Sequence, residues 1–391
     1  MTRFFFSSAL FLTSTLVAAC NAQVLDVGSD TNDKPTLGTA PDGRPVEIPP
    51  KSDTSWFPTT ACTPVGPTPK LLLKQKYLSA RGLVADGDTL WFTGNDTTDS
   101  SFGVTGIWRV SVSGGTDPAR HDAPGYNGGL FTIFGQELAY VRVEHQGTGG
   151  EADPKREAIV LRDKTTNAER TLKNPRTTTF VSGLRAHASG LYWSSREYRA
   201  DKPSSISRFT GTETELATLD NYSGIVTDGV DVYYTRWDLL DDSSYEIRFE
   251  AVPIAGGAPR VLRRMKYGSQ LHWGILGVDG NEVYFTEEST SEGGTIGAGD
   301  IRAIKKDGTN ERVVVSNQKY GIGIALDPDY LTWNDQDEQQ TIKRVRVTGG
   351  SVERIEAPGS TRYVDSITAD RCNLYWSVVN PPAIYARSRL P

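Results

Sequence analysis

The sequence is poor in the residues from which most catalytic and metal centres are assembled. It holds 4 His, 3 Cys and 2 Met among 391 residues. Three cysteines are too few for a disulfide scaffold or a multi-cysteine zinc site. A basic excess is also missing: 42 Lys+Arg stand against 48 Asp+Glu, a formal charge of −6. That balance argues against a nucleic-acid-binding protein. There is no HExxH, no CxxC pair, no phosphate-cradling glycine loop and no GxSxG nucleophile turn. Helical periodicity is absent throughout. Hydrophobic content, at 37%, is low but adequate for a core in a chain of this length.

The first residues, MTRFFFSSALFLTSTLVAAC, place one basic residue, Arg3, before an apolar stretch from Phe4 to Val17. The stretch is too short for an ordinary membrane span and reads as a secretory signal over residues 1–19. Leu16-Val17-Ala18-Ala19-Cys20 resembles the lipobox of bacterial lipoproteins. The resemblance implies cleavage before Cys20, lipidation of its thiol and a place in the cell envelope. Asn21 then favours the outer membrane. Residues 20–60 are rich in Pro, Gly, Asp and Thr without periodicity, and read as a flexible tether.

Residues 61–391 repeat one pattern. A turn is followed by Leu or Val and then by a pair of mostly aromatic residues. Examples are Asp86-Gly-Asp-Thr-Leu-Trp-Phe92, Asp228-Gly-Val-Asp-Val-Tyr-Tyr234 and Asp370-Arg-Cys-Asn-Leu-Tyr-Trp376. The Leu/Val anchors fall at 90, 138, 191, 232, 283, 331 and 374, a mean spacing of about 47 residues, which suits propeller blades. Each copy carries the signals of four strands: a glycine-containing strand, the aromatic strand, a strand with Ile and usually Arg, and a fourth after a glycine turn. The expectation is an all-β fold, a seven-bladed β-propeller of four-stranded blades.

The seventh copy stops after its third strand, Ala383–Ser388, while Lys70-Leu-Leu-Leu-Lys74 is a strand with no partner of its own. This N-terminal strand is expected to complete the last blade and close the ring. Cys62 precedes it and Cys372 lies in the seventh turn, so a Cys62–Cys372 disulfide would staple the closure. Two unpaired thiols are the alternative.

Leu191-Tyr192-Trp193-Ser194 and Leu374-Tyr375-Trp376-Ser377 resemble the YWTD-type propeller repeats of lipoprotein receptors and their bacterial relatives. The resemblance implies a propeller with a usual role in protein binding. Receptor propellers of that type have six blades, so ligand residues are not carried over.

Functional groups in propellers gather where inner strands meet the central channel. The positions just before the expected inner strands give the candidate ligand-binding set Arg81, Asn127, Tyr222, His272, Trp273, Tyr320, Tyr363 and Asp365, with Ser182 and Ser223 beside them. The set is aromatic and polar, suited to stacking on a sugar or peptide. No catalytic residue is assigned. His121 and His145 are expected in loops, and His187 takes the place of a turn Asp. Ser223, His272 and Asp365 form a triad only on paper. Gluconolactonase-type propellers hold a divalent cation in the channel; the comparable oxygens here, from Asn127, Asn221 and Asp365, include one carboxylate, which is weak for calcium. The acidic stretches Asp238–Asp242 and Asn334–Glu338 lack EF-hand spacing and read as solvated loops. No cofactor and no metal site are therefore assigned, with calcium at the rim as the weak alternative. The reading is a lipid-anchored, non-catalytic binding or scaffold module for a protein, peptide or glycan. Its specificity would come from connections such as Glu144–Glu157 and Glu287–Asp300. The alternative is a channel-mouth enzyme of lactonase or lyase type.

Overall fold

The computed structural model describes the two short strands Leu37–Thr39 and Pro45–Glu47 and residues 62–74, 78–96, 104–114, 118–121, 130–144, 156–173, 179–197, 204–219, 222–240, 244–267, 273–290, 296–335, 341–355, 364–379 and 382–390. The expected signal segment, Cys20, Asn127, His145, Asn221, His272 and Tyr363 lie outside the described residues. Within the segment read as a tether, Leu37–Thr39 and Pro45–Glu47 pair as an antiparallel hairpin.

Seven sheets of four antiparallel strands follow one another along the chain. In six of them chain order is also spatial order from the first strand outward; in the seventh the fourth place is taken by Lys70–Lys74 from before the first blade. The first strands are Leu78–Asp86, Phe131–Phe134, Thr179–His187, Tyr222–Thr227, Trp273–Val278, Tyr320–Leu326 and Val364–Ala369. Each packs on the first strand of the next blade, and the seventh packs on the first, so the ring is closed. This is a seven-bladed propeller.

The repeated turn has a physical cause. In blades 4, 5, 6 and 7 the turn Asp accepts the backbone N–H groups two and three residues on, as Asp228 does from Val230 and Asp231. Its other oxygen accepts the hydroxyl of the first dyad residue in three of these blades: Tyr233 to Asp228 (3.0 Å), Tyr284 to Asp279 (2.8 Å) and Tyr375 to Asp370 (2.6 Å). In blade 3 His187 takes the role through Nδ1, which accepts the Ser189 N–H at 3.0 Å.

The dyad makes the seams between blades. Neighbouring residues of a strand point to opposite faces, so the first ring meets the following blade and the second meets the preceding one. Trp91 shares a cluster with Tyr140, Tyr192 with Tyr234, Tyr233 with Phe285, Tyr284 with Trp333 and Tyr375 with Phe92. All are buried. Polar pins cross the same seams: Lys164 to Asp86 (2.7 Å), Lys306 to Asp228 (2.6 Å) and Arg389 to Asp327 (2.7 Å). Arginines add bonds to the next blade's backbone, as Arg208 to the Ile254 carbonyl (3.3 Å) and Arg344 to that of Arg389 (2.5 Å).

Closure follows the sequence expectation. Lys70–Lys74 pairs antiparallel with Ala383–Ser388, Leu71 opposite Tyr385 and Leu73 opposite Ile384. Cys62 and Cys372 form a disulfide, Cα atoms 5.9 Å apart. The fully buried Asn373 side chain holds the intervening segment. Its Oδ1 accepts the Val65 N–H (2.9 Å), and its Nδ2 donates to the Thr63 carbonyl (3.0 Å).

Three local expectations are corrected. His121 is not in a loop: it ends the strand Ala119–His121, is buried, stands edge-on to Trp91 at 5.4 Å and accepts a bond from Arg162 Nε at 3.2 Å. Asp238 and Asp335 sit in strands rather than solvated loops, Asp238 paired with Arg236 and Arg248 and Asp335 with Lys343. Most of Glu287–Asp300 is strand as well, because Glu282–Thr290 pairs with Ile296–Lys305 before the chain turns.

Candidate functional site

The short Asp turns stand at one end of the ring. The first residues of the inner strands stand at the other, which forms the candidate mouth. Inner strands enter it irregularly. In six blades the register slips: between Arg81 and Val84, Val181 and Gly183, Ser223 and Ile225, Ile275 and Gly277, Tyr320 and Ile324, and Val364 and Ser366. A bulge inserts residues without ladder partners and re-aims their side chains. Gly82 (φ 55°) and Gly224 (φ 54°) supply the left-handed backbone at two of them.

Hydroxyls just after the aromatic dyad support these bulges. Thr93 Oγ1 donates to the Arg81 carbonyl (3.1 Å), and the Ser194 and Ser182 hydroxyls lie 3.2 Å apart. Ser366, just past the blade 7 bulge, accepts the Leu83 N–H of blade 1 at 3.1 Å and ties the two bulges across the closure seam.

The bulges also correct the sequence placement of the candidates. Tyr222, Trp273 and Tyr320 are the first residues of inner strands, Asp365 the second and Arg81 the fourth, not residues preceding them. The cause is that strand pairing runs past the slipped positions, opposite long second strands such as Thr89–Asp96. The candidates are spread around the ring, and Ser223 and Asp365 sit on inner strands three blades apart. Among the described residues the structure brings one candidate pair together: Arg81 Nε lies 3.3 Å from Asp365 Oδ2. The pair spans blades 1 and 7.

The two partners differ in environment. The Asp365 side chain is 19% exposed and that of Arg81 is 64% exposed. Burial pushes the Asp365 carboxyl above its ordinary value, and the Arg81 charge opposes the shift. Ser182 of blade 3 and Gly224 of blade 4 are exposed at equivalent bulges, so small residues stand at those two inner-strand positions. What escaped sequence reasoning was the bulge itself. Its signal was a glycine or serine inside a strand, followed about twelve residues later by Ser or Thr after the dyad.

The described histidines have other duties. His121 packs in the seam of blades 1 and 2. His187 holds its turn, and burial depresses its basicity.

No protein-family model matches the chain, and no curated protein matches it in sequence. Solved structures do match, at low identity. The beta-propeller domain of the Trilobed protease from Pyrococcus furiosus, described as having an open velcro topology, aligns with a TM-score of 0.55 and 10% identity, over 80% of this chain and 93% of that one. One of two prolyl endopeptidases studied for inter-domain dynamics gives 0.55 and 12%, over 80% of this chain and 48% of that one. An oligogalacturonate lyase in complex with manganese gives 0.51 and 12%, over 83% and 98%. These likenesses are to the propeller fold. In the present chain the ring is closed by the N-terminal strand Lys70–Lys74.

Proposed function

We propose that the chain is a lipid-anchored propeller of the bacterial cell envelope, in the outer membrane, that binds a protein, peptide or glycan at its mouth without turning it over. The lipobox-like LVAAC at residues 16–20 motivates the anchor. The observation that carries the binding reading is the Arg81–Asp365 pair, a partly solvated charge pair at the mouth with both described histidines engaged elsewhere. A partly exposed charge pair, with the small exposed residues Ser182 and Gly224 on inner strands of other blades, is suited to recognition.

Affinity capture from native envelopes tests this reading, with wild-type protein beside Arg81→Gln. A ligand retained by wild type and lost by the variant supports it. Turnover of a lactone or uronide panel, with no ligand captured, would replace it with the lactonase or lyase alternative. Mass spectrometry of the mature N-terminal peptide tests the anchor: a diacylglyceryl adduct on Cys20 is expected, and an unmodified thiol would remove it.

A further inference from the structure

We propose that Arg81 is a carboxylate-binding fork and that Asp365 is its positioning residue. The inference rests on reading the mouth as a binding site and names the chemistry that site accepts.

A guanidinium offers donors along two edges. Asp365 approaches Arg81 at Nε, 3.3 Å away. The terminal Nη1 and Nη2 donate no hydrogen bond to a described residue, and the side chain is 64% exposed. On this largely exposed side chain, the pair of parallel donors that fits a carboxylate is therefore not taken up by hydrogen bonds to described residues. Asp365 is itself fixed: it sits in the bulge between Val364 and Ser366, and Ser366 bonds Leu83 of Arg81's own strand. The acid and the arginine are thus set against each other by two inner strands joined at the closure seam. Among the described residues Asp365 has no other partner, so burial of its carboxylate is offset by Arg81 alone. That commits the Nε edge to the protein and leaves the Nη edge for a ligand. One planar fork, partly neutralised from behind, suits a monoanionic carboxylate better than a phosphate dianion, which recruits several cationic groups. Small residues, Gly82, Ser182 and Gly224, occupy the neighbouring and opposite bulges, the last two exposed.

The test titrates the full-length protein with sodium acetate, sodium chloride, inorganic phosphate and methylammonium, following the Arg81 Nε–Hε resonance by NMR. Acetate is expected to saturate the shift and to bind at least about tenfold tighter than chloride or phosphate, the worth of one charge-assisted bond. Arg81→Gln should abolish the response seen by intrinsic fluorescence or calorimetry. Arg81→Lys keeps the charge but loses the fork, so its acetate-to-chloride preference should fall to near unity. Asp365→Asn should lose the preference while still attracting anions, and Asp365→Glu should restore part of it. A role confined to folding would not move that ratio. Equal affinities for acetate and chloride in the wild type, tighter phosphate binding, or an unchanged ratio in Arg81→Lys or Asp365→Asn would each overturn the proposal. Failure here with successful envelope capture would leave the binding reading standing. Acetate selectivity together with lactone turnover would do the reverse.

Discussion

Removing the Cys62–Cys372 disulfide should destabilise the protein by an amount set by the closure it makes. The bond joins residues 310 apart, nearly the whole ring. The loop-entropy relation gives about 5–6 kcal/mol for a closure of that length, as an upper figure, because residual structure in the unfolded chain lowers the gain. Other contacts hold the same segment: two Asn373 side-chain bonds, the Gly66–Ser388 pair and the ladder of Lys70–Lys74. The double variant Cys62→Ala/Cys372→Ala should therefore fold. Its guanidinium midpoint should correspond to a loss of about 3–5 kcal/mol. The loss should be local in its first step. Without the staple the closing strand frays, leaving Ala383–Ser388 an exposed edge. Hydrogen exchange should accelerate at Leu72, Leu73 and their partners well before it does in blade 4. An unchanged midpoint with unchanged protection of Lys70–Lys74 would refute the idea that the bond seals the ring.

Two carboxylates should respond oppositely to neutralisation. Burial pushes Asp228 upward, but the Lys306 bond and charge and the N–H groups of Val230 and Asp231 outweigh it and hold the carboxyl below its ordinary value. Its ionised form therefore stabilises the fold above the ordinary carboxylate range, and that support is lost as pH falls through the folded value. Asp228→Asn should cost about 2–4 kcal/mol at pH 7 and progressively less below pH about 4, by denaturation across pH. Asp365 is raised, so ionisation opposes folding: Asp365→Asn should raise the midpoint at pH 7, and the gain should vanish once both states are protonated. Parallel pH profiles for the two variants would contradict these signs. In the blade 4 turn, against blade 3, Gly229 has φ 80°, and a methyl group there would lie 1.8 Å from His187 Cε1. Gly229→Ala should cost about 2–4 kcal/mol, and combining it with His187→Ala should cost at least about 1 kcal/mol less than the sum of the single changes. Strict additivity would mean that the ring does not confine the turn.

The blades were legible because their cause is local. An Asp turn bonding its own N–H groups and a buried dyad leave the same seven-residue trace each time, and a missing strand at one end of the repeats matched a spare strand at the other. The disulfide followed from that match. The mouth was less legible, since a bulge is a relation between two strands. From sequence alone Arg81 and Asp365 read as preceding strands that in fact contain them. His121 was misplaced because its reason for being buried, Trp91 on one side and Arg162 on the other, lies 30 and 41 residues away. The seam pins Lys164–Asp86, Lys306–Asp228 and Arg389–Asp327 are equally non-local: each cation follows directly after the third strand of the blade next to its acid.

The most direct test of binding at the mouth places a photo-crosslinking residue at Ser182, exposed in the blade 3 bulge, or at Val230, 67% exposed in an Asp turn at the opposite end. Irradiation in native envelopes should trap a ligand from position 182, and Arg81→Gln should abolish the product. Trapping from position 230 alone, or trapping from 182 that survives Arg81→Gln, would contradict it.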